Sequence, residues 1–66
     1  MKTYEEACRR DAKRMFSDYM GGGEPRSSNY ETISFIYGKD VNAVHSYIWK
    51  LYKEMINDYY KTRKMP

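Results

Sequence analysis

His45 and Ser46 stand side by side, and an imidazole beside a hydroxyl is the pairing that general-base activation of a nucleophile uses. On a helix, neighbouring residues point about 100° apart, and no carboxylate is spaced to orient this imidazole. The pair therefore reads as surface or half-buried side chains, and the chain as a non-enzyme. Cys8 is the single cysteine and His45 the single histidine, so a tetrahedral metal centre would need carboxylates for its remaining ligands, a rare composition. No metal and no cofactor is expected. A lone thiol forms no internal disulfide and suits a reduced, cytoplasmic setting. Gly21-Gly22-Gly23 invites comparison with a phosphate-cradling loop, but the Gly-Lys-Ser/Thr ending that supplies a lysine and a metal ligand is missing.

The aromatic residues offer a different chemistry. Tyr47, Trp49, Tyr52, Tyr59 and Tyr60 crowd one stretch, where rings could stack on unpaired bases for roughly 1–3 kcal/mol each. Core and interface positions account for such rings more simply, because they bury large areas while tyrosine keeps a polar tip. With eight tyrosines and five methionines, the enrichment also suits a protein-docking surface, for which Tyr52, Met55, Tyr59 and Tyr60 are the candidates. Twelve Lys+Arg against nine Asp+Glu give a net charge of +3, compatible with nucleic acid, acidic protein or anionic membrane. No apolar run approaches the roughly 20 residues that span a bilayer, and the charged amino terminus lacks the apolar core of a secretion signal. A membrane partner is not expected.

These side chains must be positioned by a small number of elements, because 66 residues allow one small domain. Thr3-Tyr4-Glu5-Glu6 has the form of a capping box, and Tyr4, Cys8, Ala12, Met15, Phe16 and Tyr19 recur at helical spacing. An amphipathic helix is predicted over about 3–20. Residues 21–29 combine three glycines, a proline and polar turn-formers, and read as a flexible linker. Ser28-x-x-Glu31 is a second possible capping box, opening a short helix that Gly38 closes. A strand competes over 30–37, where Glu31, Ile33, Phe35 and Tyr37 alternate, but no second strand exists to pair with it. Asp40 then caps a long third helix whose stripe Val41, Val44, Ile48, Leu51, Met55 and Tyr59 carries it to about Lys61.

From Tyr30 to Trp49 the letters resemble the helix-turn-helix DNA-binding motif. Ser34 sits where that family places a small residue at the helix crossing, Gly38 where it turns, and Val44 where a branched apolar residue anchors the second helix. The resemblance implies that the amino-terminal part of the third helix enters the major groove, with Asp40, Asn42, Ala43, His45, Ser46 and Trp49 facing it. Asn42 would pair with adenine, His45 and Ser46 would donate to base or phosphate, and Lys39, Lys50 and Lys53 would hold backbone phosphates. Arg10 and Arg14 on the first helix would add sequence-independent contact. The match departs from the family at Lys39, Asp40, Phe35 and Ile36, and the recognition face has no arginine.

The expectation is thus an all-α, three-helix domain: an amphipathic first helix, a glycine-rich linker, and a helix-turn-helix-like unit over about 30–62 ending in the long helix. Duplex DNA is the leading partner, for a small regulatory protein. The alternative is a non-enzymatic interaction module docking on a larger protein assembly. The stripe of the third helix looks wider than one short helix covers, which adds a possible homodimer.

Overall fold

The computed structural model describes residues 3–64, which form three helices and no strand: α1 (Tyr4–Met20), α2 (Tyr30–Tyr37) and α3 (Val41–Thr62). The segment 30–37 is helical, as its punctuation predicts. Among the described residues, no helix is long and apolar enough to cross a membrane.

Local chemistry sets the boundaries. Thr3 Oγ1 accepts from the Glu6 N–H at 3.1 Å while Glu6 Oε1 accepts from the Thr3 N–H at 3.2 Å, the reciprocal capping box expected for α1. Asp40 Oδ2 accepts from the Ala43 N–H at 3.0 Å and caps α3. Between α2 and α3 the chain reverses at Gly38, whose φ of 63° is left-handed and costs glycine nothing. Ser34 Oγ donates to the Lys39 carbonyl at 2.6 Å across that turn. The Lys39 ammonium lies 5.1 Å from the centroid of the Tyr4 ring, which fastens the turn to the start of α1.

Apolar burial joins the helices. Cys8, Ala12, Met15 and Phe16 from α1 and Val44, Ile48, Leu51, Tyr52 and Met55 from α3 form the core, with Ile33 entering from α2. α2 packs on both other helices. Within one chain, α1 and α2 bury Val44, Ile48, Leu51 and Met55 of the α3 stripe, while Val41 at its start stays 38% exposed. Tyr rings close both ends: Tyr4 stacks on Tyr47 at 5.6 Å, and the Tyr19 and Tyr60 hydroxyls meet at 3.0 Å. Burial pushes the Cys8 thiol and the Tyr4 and Tyr52 phenols above their ordinary values.

The connection over residues 21–29 is tied to α1 at Gly23, Ser27 and Asn29. The Gly23 N–H donates to the Asp18 carbonyl at 2.8 Å, folding the glycine run back on α1. Further on, Ser27 Oγ donates to Asp11 Oδ2 at 2.6 Å and Asn29 Nδ2 donates to Asp11 Oδ1 at 3.2 Å. Asp11 is 3% exposed, and its two oxygens take their donors from the connection. The capping box at Ser28 is corrected. Asn29 is the cap residue of α2, and its side chain turns away to Asp11 rather than to the α2 backbone.

Two stability predictions follow from this packing. Asp11→Ala removes two hydrogen bonds to a carboxylate and should cost about 1–3 kcal/mol in urea unfolding, with faster amide exchange over 24–29; an unchanged midpoint would show the latch to be idle. A thiol and phenols whose folded values are raised contribute stability that is complete below their ordinary values of 9.0 and 10.0 and disappears as pH rises through the folded ones. Unfolding free energy should therefore decline on the alkaline side of about pH 9, and Cys8→Ala should remove the first part of that decline.

Candidate nucleic-acid interface

With Val44 and Ile48 fully buried, the helical period turns Asn42, Ser46, Lys50 and Lys53 to solvent on the opposite side of α3. A shallow hollow of about 520 Å³ runs along this side, lined by His45, Ser46, Trp49, Lys50 and Lys53, with Glu54 and Asn57 at its far end. The structure thus gathers five of the expected site residues on one surface, and Asn42 precedes Ser46 by one turn.

His45 and Trp49 are half-buried and hold each other. The Trp49 indole N–H donates to His45 Nε2 at 3.1 Å, and the Tyr30 ring stands edge-on to the imidazole at 4.7 Å. Trp49 in turn meets Tyr52 edge-on at 5.4 Å. Nε2 is therefore an acceptor, leaving only Nδ1 to donate, which narrows the role expected of His45 at a base or phosphate. The two rings make a fixed aromatic wall to the hollow.

The charged groups divide. Among the described residues, the one ion pair is Arg26 with Glu24 at 3.6 Å, so the ammonium groups of Lys50 and Lys53 are uncommitted. Lys39 is exposed but engaged on Tyr4. Asp40 is engaged as the cap, which directs its negative charge to the α3 backbone. Arg10 and Arg14 lie elsewhere, beside a separate hollow of about 430 Å³ between α1 and α2.

The docking residues expected from the tyrosine and methionine enrichment are corrected in part. Tyr52 and Met55 are 7% and 5% exposed and belong to the core, because they fall on the inward stripe of α3. Tyr59 is half-buried, edge-on to Phe16 at 5.7 Å. Tyr60 alone of the four is open, at 51%. Among the described residues, the apolar side chains most open to solvent are Phe35 at 86% and Ile36 at 64%, two of the positions where the letters depart from the helix-turn-helix pattern.

Sequence reasoning missed the Asp11 latch. Its signal was present: Asp11 lies three residues after Cys8 and four before Met15, on the apolar stripe, where a carboxylate needs partners.

No known protein family matches the chain, and neither curated proteins nor solved structures give a match. The functional reading rests on the residues.

Removing the imidazole tests the aromatic wall. His45→Ala should displace the Trp49 indole N–H resonance and lower stability by about 0.5–1.5 kcal/mol, the net worth of one hydrogen bond. An indole resonance that stays in place would mean the two side chains do not brace each other.

Proposed function

We propose that the chain is a small, non-enzymatic DNA-binding regulator that reads duplex DNA with α3 in helix-turn-helix fashion. The observation that carries this reading is the solvent-facing row Asn42, Ser46, Lys50 and Lys53 on a helix held to a short α2 by a left-handed glycine turn. An α-helix fits the major groove, and the 22 residues of α3, rising about 1.5 Å each, are long enough to lie along it.

Each side chain then has a role. The Asn42 amide offers a donor and an acceptor in the spacing that adenine presents in the major groove. Ser46 donates to a base or a phosphate, while Lys50 and Lys53 neutralise backbone charge. The His45–Trp49 wall sets the depth to which the helix enters. Asn42 is the amide reader of this row, so an A·T pair is expected where it meets the groove.

A second reading, a protein-docking module, draws on Phe35 and Ile36, adjacent apolar side chains open to solvent on α2. The two readings use different faces. Titrating labelled protein with a short A·T-rich duplex at near-physiological salt should move the amide resonances of Asn42, Ser46, Lys50 and Lys53. Asn42→Ala should weaken binding by 1–3 kcal/mol, roughly 5- to 150-fold, and Lys53→Gln should lower the salt slope by about 1. Uniform weak shifts at all lysines, or none, would overturn groove reading and leave the α2 face as the working surface.

A further inference from the structure

We propose that the hollow between α1 and α2 is a phosphate-binding site, with Arg10 and Arg14 as its charged clamp. The two arginines are four residues apart, so their side chains rise from adjacent turns on one face of α1, and both line the hollow. Neither lies within ion-pair distance of a carboxylate among the described residues. Two unpaired guanidinium groups on one wall are the arrangement that holds a tetrahedral oxyanion, because each planar fork presents parallel N–H donors.

The opposite wall adds neutral donors. Thr32 lines the hollow from the first turn of α2. Asn29 occupies the cap position of that helix but spends its amide on Asp11, so no side chain satisfies the first backbone N–H groups of α2. Asn29 and Thr32, at that end of α2, both line the hollow. Asp11 contributes a negative charge at the floor, which the two arginines have to outweigh. The lining carries two positive charges against one negative, and Ala7 and Ile33 supply an apolar base.

The chemistry recognised is a phosphate group, and at about 430 Å³ the hollow also admits the sugar atoms of a phosphodiester. The natural source is the DNA backbone, which deepens the proposed function and rests on it; the phosphate site itself does not.

The experiment has two arms. Pyrophosphate alone, titrated into the intact protein against a chloride control, should shift the Thr32 amide and the Arg10 and Arg14 Nε–H resonances, and the shifts should vanish in the Arg10→Gln/Arg14→Gln double variant. Binding of an A·T-rich duplex, measured over a range of salt, should lose about one unit of log K per log salt for each arginine removed. Arg9→Gln/Lys13→Gln, which removes two charges that sit beside Arg10 but do not line this hollow, should keep pyrophosphate binding. All four side chains are exposed, and an unchanged urea midpoint confirms each fold. Pyrophosphate shifts without duplex binding support the site as one for a small phosphate compound and overturn groove reading. Duplex binding with no pyrophosphate shift, and with equal slope losses in both double variants, overturns the site and leaves groove reading standing. Failure of both arms overturns both.

Discussion

A carboxylate shut away from water has to find donors, and in this chain one carboxylate organises its surroundings by that need. Asp11 sits on the inward side of α1, where its charge is tolerated because Ser27 and Asn29 reach it from the connection. Those hydrogen bonds determine where the chain can begin α2. The start of α2, in turn, places Tyr30 against His45 and Ile33 in the core, and the glycine turn then delivers α3 across α1. A short polar contact thus sets the geometry that the larger apolar surface consolidates.

α3 serves both sides of the molecule. Its inward stripe supplies half of the core, and the same 3.6-residue period leaves a polar row facing out. Aromatic contacts link the two: Tyr30 braces His45, His45 accepts from Trp49, and Trp49 rests on Tyr52, which is buried. The outward row is consequently carried on a surface that has few ways to relax. A duplex-reading helix benefits from such rigidity, since its base contacts depend on orientations fixed before binding.

Much of this was legible in the letters, and the reasons are local. Thr3 with Glu6, Asp40 and Gly38 announce helix ends through contacts within a few residues, and α1 and α3 have apolar periods that leave little choice. Residues 30–37 were ambiguous because β-branched and aromatic residues suit either element; it is packing on α1 and α3 that makes them helical. What could not be read was long-range. Nothing near Ser27 or Asn29 says that their partner lies sixteen or eighteen residues away. The same blindness assigned Tyr52 and Met55 to an outer surface, since an apolar stripe does not state which element covers it. Asn42, Ser46, Lys50 and Lys53 face out together because that follows from period alone, whereas the mutual hold of His45 and Trp49 needed coordinates.

The brevity of α2 has a consequence for the surface around His45. Eight residues, with no side chain capping their amino end, cannot persist as a helix on their own in water. α2 therefore depends on α1 and α3, on both of which it packs, for its helical form. Tyr30 belongs to that same helix, so the surface around His45 is complete only where α2 is formed. Any activity that depends on that surface is thereby tied to the packing of a helix too short to stand alone.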